Sequence, residues 1–565
     1  KAARLHVGDL IQLGHNGPRM QVLEIDTIGA PEGPDGPAEI LAPRRMKWRI
    51  ENVLVTGGVI AAFVLVVALT AILLSRETEP PPPGPNGVVE GPEPLVKPPD
   101  AKPLEVKPPD PTPLDTKPPE AKPPEVAPPE VKPPAVKPSP VPPTVERRIV
   151  GKFEPASQPV GVVVRRAEGK RPWERVQPQG HVQTDDLLVC LPGYRSELAL
   201  DSGVQLTLWG NVQEQLAWPI LESAIVLHPP PAGTDLSFTL DRGRVAITNR
   251  KNGPAQVQVQ FADQTWDLTL ADSQSEVGLE LLGREGGLEG GPLLFVGLVV
   301  LKGQAQLRVG VQQFALQAPP GPALYTWANH GPSAPGPQPL PDEVAPLWHK
   351  TLPATWQWQK LPVPQQQAAQ KTYEAMRQAL NELSNRLNTA ASLHVVLAED
   401  MRSPRPMTRE LAVLSLGAVD ALPEVLDALA DEKFPDVREA AVMALRHWLG
   451  RREEQAKKLR QALLEKRYSD SQADTLLRLL HTFSAEDRAK RDTYEMLIEY
   501  LRHDQPAVRQ LAAWHLYRLV PDARKIPYDP AAGVQQRQAA YEVWRKLLAS
   551  GSLPPKAPAP PRPQP

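Results

Sequence analysis

The side chains with the plainest chemical uses are few and scattered. The chain has one cysteine, Cys190, and eleven histidines. A thiol is a useful nucleophile only where its surroundings lower its pKa. Cys190 sits in "LLVCLPG" (187–193), a strand-like run where a buried structural thiol is the default. One cysteine supports neither an intramolecular disulfide nor a cysteine-rich zinc site. No two histidines stand four residues apart, and there is no HExxH, GxSxG, Walker loop or dinucleotide fingerprint. The sequence therefore assigns no catalytic, cofactor-binding or metal-ligating residue. No cofactor is expected, and the chain is read as not an enzyme.

Regularly placed charges remain. Arg438 lies in "DEKFPDVREAA" (431–441) and Arg509 in "HDQPAVRQLAA" (503–513), two nearly identical phrases. Four segments align, starting at Arg409, Arg438, Gln472 and Arg509, and each puts apolar residues on one helical face. This pattern resembles HEAT-type repeats over Met401 to about Val520. The resemblance implies stacked helix pairs, since one pair cannot bury its apolar stripe alone. Arg438 and Arg509 are expected to pair with acids or carbonyls of an adjacent turn; binding is the alternative. An α-helical region is expected over 365–550. Its last helix (533–548) would turn Val534, Tyr541, Trp544 and Leu548 inward, and a disordered Pro-rich tail would follow (551–565).

The elements before it have a different period. A chain of 565 residues implies two to four domains. From Arg148 onward, runs such as "SELAL", "VQLTLWG", "AQVQVQF" and "TWDLTL" alternate apolar and polar residues between Gly, Pro, Asn and Asp. This predicts antiparallel strands over 149–345, in a sandwich, a barrel or a short solenoid. "DSG" (201–203) and "DRG" (241–243) read as turns. The stretch from Gly180 to Gly210 resembles a FecR-type extracytoplasmic domain. That resemblance implies a module for signalling across a bacterial envelope.

Residues 52–75 form 24 uncharged residues, enough to cross a bilayer. Arg44, Arg45, Lys47 and Arg49 precede them, so the positive-inside rule puts the N-terminal side in the cytoplasm. Basic residues 29–51 would be a juxtamembrane linker. Residues 76–148 carry lysines on a five-residue grid among prolines, which predicts a polyproline II stalk. Docking to a PxxP-reading domain is the other use of such a tract. Residues 1–28 include "RLHVGDLIQLG", which resembles the end of a forkhead-associated (FHA) domain, with Leu5, Gly8, Asp9, Ile11, Leu13 and Gly14 in its pattern. The start at Lys1 suggests a truncated N-terminus.

The fold class expected is multi-domain: an all-β FecR-like domain, then an all-α HEAT-like solenoid, with one transmembrane helix and a polyproline II linker. The expected location is a bacterial inner membrane, with the C-terminal domains outside the cell membrane. The expected partners are the lipid bilayer, proteins and a phosphothreonine peptide on the cytoplasmic side. A net charge of −2 argues against nucleic acid. The expected function is trans-envelope signalling by binding; the alternatives are a structural envelope scaffold and a hydrolase within the β-domain.

Overall fold

In a computed structural model of the chain, the described residues are 10–12, 19–21, 147–155, 161–167, 172–213, 215, 219–287, 290–330, 336–341 and 362–555. Strands Leu10–Gln12 and Arg19–Gln21 pair antiparallel, Ile11 opposite Met20. The predicted stalk lies outside the described residues, as does most of the FHA-like stretch.

From Ile149 to Pro339 the chain forms strands, and from Val363 to Ala549 helices. Two sheets share the 14-residue strand Leu236–Asn249. Its second half lies between Val204–Trp209 and Glu276–Arg284. Its first half lies between Ser223–His228 and Ala255–Phe261, and the latter pairing is parallel. The remaining pairings are antiparallel. The sheets meet through aromatic side chains: Trp266 of one lies 5.4 Å edge-on to Tyr325 of the other, and Phe261 lies 5.6 Å from Trp327. Such pairs add stabilisation beyond the area they bury.

The two turn expectations part company. "DSG" is a hairpin turn between Arg195–Leu200 and Val204–Trp209, with Gly203 at φ +81°. "DRG" is no turn, because Leu236–Asn249 runs straight through it. Gly243, at φ +92°, bends the strand from one sheet into the other, and a register shift lies opposite on Ser223–His228. A Cβ there would fall 2.3 Å from the Glu222 carbonyl oxygen. The residue types of a turn and of a β-bulge are the same, since both need positive φ.

The repeats expected in the helical region begin with a common device. Helices Pro406–Ala418, Pro435–Leu449 and Pro506–Leu519 each open on proline, whose fixed φ suits a first helical position. Three residues on, Arg409, Arg438 and Arg509 reach back to carbonyls before the helix: Ser403 (2.7 Å), Asp431 (2.8 Å) and His503 (2.7 Å). The aligned segment without arginine starts differently. In Asp470–Leu480 the Ser469 hydroxyl accepts from the Gln472 amide while the Gln472 side chain accepts from the Ser469 amide. In the last helix, Val534–Ala549, Tyr541, Trp544 and Leu548 are buried as expected. Val534 is instead 71% exposed, because it is the helix's first residue.

The membrane expectations are corrected. Among the described residues no helix is long and apolar enough to cross a bilayer. The longest, Val363–Thr389, has the length at 27 residues but carries Lys371, Glu374, Arg377, Glu382 and Arg386. Residues 52–75 lie outside the described residues. The fold is therefore a large mixed sheet followed by helices, which contradicts the expected transmembrane helix, single-pass character and inner-membrane placement.

Candidate functional site

The sheet and helical regions join along a seam of buried polar groups. Glu222, 1% exposed, accepts from Arg242 Nε at 2.6 Å, from Arg451 Nη2 at 2.5 Å and from His447 Nε2 at 3.2 Å. Arg242 comes from the sheet; His447 and Arg451 come from the end of the helix Pro435–Leu449 and just beyond it. Burial raises the Glu222 carboxyl's pKa, but Arg451, His447 and Arg242 together hold it well below the usual carboxylate range. Asp420, at φ +58°, accepts from Arg451 Nη1 (3.0 Å), Trp448 Nε1 (3.1 Å) and, across the seam, Arg166 Nη2 (3.1 Å). Further along, Trp173 Nε1 donates to the Val419 carbonyl at 2.8 Å and the Tyr194 hydroxyl to the Leu380 carbonyl at 2.6 Å. Gly283 and Gly450 bring backbone to backbone; a Cβ on Gly283 would lie 2.1 Å from the Gly450 oxygen.

Beside the seam the two regions part to leave a cleft of about 1060 Å³. Its sheet wall is the end of Glu276–Arg284 with Gln213 and Leu221. Its other walls are helices Pro435–Leu449, Pro506–Leu519 and Val534–Ala549, and the connector from Arg524 to Ala532. Leu282, Met443, Ile526 and Val543 supply apolar surface, and Val543 is 42% exposed. The tyrosines show their rings because their hydroxyls are engaged elsewhere. Tyr517 donates to the Ile526 carbonyl (2.7 Å) and Tyr528 to the Leu501 carbonyl (2.6 Å). Burial pushes the Tyr517 phenol up to about 12, so it stays neutral at physiological pH. The Trp514 ring lies under two guanidinium groups, Arg446 at 4.7 Å and Arg518 at 4.4 Å from its centroid.

Charge in the cleft is biased. Arg284, Arg438, Arg446, Arg518 and Arg524 line it, with His447. The acids are three: Glu285, Glu439 and Asp529. Two of these are tied to arginines. Arg446 pairs with Glu285 and also donates to the Leu480 carbonyl (2.7 Å). Arg438 donates to Asp529 Oδ1 (2.6 Å) and Gln510 Oε1 (3.0 Å). Among the described residues no group of three or more His, Cys, Asp and Glu side chains is placed to hold a metal ion.

The residues singled out from sequence fall in different places. Cys190 is fully buried; burial pushes its thiol up to about 12, and its Sγ lies 3.3 Å from the Ser196 hydroxyl. It is a core atom far from nucleophile chemistry. Arg438 does line the cleft, but its guanidinium is spent on Asp431, Gln510 and Asp529. Arg509 donates to the carbonyls of His503, Asp504 (2.7 Å each) and Pro530 (2.7 Å), as expected of a turn-closing residue. Sequence reasoning missed Glu222, Arg284, Trp514 and Tyr528. Only Trp514 carried a signal, an aromatic off the apolar stripe of "RQLAAWHLYRLV".

Compared with models of known protein families, with curated proteins and with solved structures, the chain finds no match. The FecR-type, HEAT-type and forkhead-associated resemblances therefore rest on the residues quoted for them.

Proposed function

We propose that this protein works by recognition, holding a polypeptide partner in the cleft between its sheet and helical regions. The observation that carries the reading is the cleft itself: about 1060 Å³, walled by both regions and lined by apolar and aromatic surface. That volume sits at the top of the ~300–1,000 Å³ range of small-molecule sites. A stretch of extended chain can occupy a cleft of that size. The FecR-type resemblance supports the same reading, since what it implies is a signalling module that acts by binding.

The test uses a dye that reports occupancy. Val543→Cys adds an exposed thiol in the cleft, and Cys190 is too buried to compete for label. A pool of short unstructured peptides should then change the dye's emission saturably. Ala539→Trp, which fills the cleft from an exposed helix position, should abolish the response. Turnover of a peptide or glycan pool by the purified protein, lost in Ala539→Trp, would replace recognition with catalysis.

A further inference from the structure

We infer that the segment held in the cleft is acidic: an extended polypeptide bearing carboxylates among apolar residues. The inference rests on the recognition reading above and adds its chemistry. The whole chain carries a formal charge of −2. The cleft departs from that average, with five arginines against three carboxylates in its lining. Arg284 stands on the sheet wall and Arg524 on the connector, so positive charge lies on more than one wall. The Arg284 side chain makes no hydrogen bond or ion pair with the described residues. A guanidinium fork matches a carboxylate with two parallel hydrogen bonds. Between the arginines, Leu282, Tyr517, Tyr528 and Val543 offer apolar contacts for side chains between the acids.

Arginines with aromatics also suit single-stranded nucleic acid, which needs free ring faces on which bases stack. Here the most suitable ring is already engaged. Two guanidinium groups lie over Trp514, and both belong to cleft-lining arginines. Acidic peptide needs no stacking face, so the geometry favours it.

The experiment uses the full chain labelled at Val543→Cys and four probes of equal length. Three are peptide pools of matched apolar content, bearing Asp and Glu, Asn and Gln, or Lys; the fourth is an oligothymidylate. The acidic pool should bind about threefold tighter than the amide pool, the size expected for one partly screened ion pair at Arg284. That advantage should shrink as salt rises. Arg284→Glu should erase it, and Arg524→Glu, at an exposed position, should lessen it by lowering the positive charge of the lining. Equal binding of the acidic and amide pools, blocked by Ala539→Trp, would overturn the acidic preference and leave the recognition reading standing. Silence from every pool would overturn both. Tighter binding of the oligothymidylate than of the acidic pool would overturn the inference in favour of nucleic acid.

Discussion

The sheet and helical regions solve the same problem of buried polarity in different ways. In the sheet the backbone is satisfied by ladders, and the buried charges Arg244 and Glu280 answer each other across neighbouring strands at 2.7 Å. In the helical region Arg409, Arg438 and Arg509 each give one bond to a carbonyl that closes the turn before their own helix, while Arg409 and Arg438 also pair with Asp436 and Asp529. The difference shows at the cleft, where every lining aromatic and four of the five arginines come from the helical side. A ladder leaves no backbone unpaired, so the sheet makes a plain, stiff wall. Helix starts leave amides and helix ends leave carbonyls to be met by side chains or connecting turns, which brings long polar groups to the surface. The seam is the exception, because its charges come from both regions.

The seam is where the comparison breaks most easily. Glu222→Ala takes away the carboxylate that Arg242 and Arg451 share, leaving Arg242 with Asp241 and Arg451 with Asp420, and removing one partner of a buried charge cluster costs up to about 3–5 kcal/mol. Chemical denaturation should show that loss, and Glu222→Gln, which keeps the shape, should lose less. A loss below about 1 kcal/mol, the worth of a surface pair, would mean that the seam is held by its apolar contacts alone.

Acid should sharpen the contrast next. His515, on helix Pro506–Leu519, donates through Nε2 to the Leu479 carbonyl at 2.6 Å. Burial, with Arg446 and Arg518 near, lowers its pKa to about 3. The unfolded chain binds that proton near pH ~6.5. Stability tied to His515 is thus complete above pH ~6.5 and falls by up to ~1.4 kcal/mol per pH unit down to pH 3. Glu222 also loses stability on acidification, but only below pH ~4.3, where its unfolded carboxyl begins to protonate. Denaturation midpoints between pH 7 and 4.5 should therefore follow His515 together with His481 and His503, whose imidazoles burial also lowers, and His515→Gln should reduce that slope. A slope unchanged in the variant would show that other groups carry it.

The smallest effect concerns the odd repeat. Ser469→Ala removes the cap that replaces the proline–arginine start, at a cost of about 1 kcal/mol. Arg438→Leu, in the proline–arginine start, should cost more because it takes a donor from the Asp431 carbonyl, Gln510 and Asp529, leaving Asp529 with the Ala531 amide. Equal losses in thermal unfolding would mean that the two starts are interchangeable.

Much of the layout was legible. Alternation of two marked strands such as Ala255–Phe261 and Gln264–Leu270, and a period near 3.6 marked the helices. The continuous run Leu293–Lys302 was not singled out, because buried strands lose their alternation. The turn-closing role of Arg438 and Arg509 was readable too, since proline and arginine at fixed spacing act over one turn.

Local chemistry, then, was written in the residue order: strands, helix starts, and a lone thiol with no activating neighbour. Tertiary structure alone decided what Gly243 does, whether a reversal or a bend between sheets, because positive φ permits both. It alone brought Glu222 to Arg451, 229 residues away, and put Arg284 and Arg524 in the lining of one cleft. Charges so far apart along the chain leave no periodic trace, so their meeting depends on which faces the two regions bury against each other.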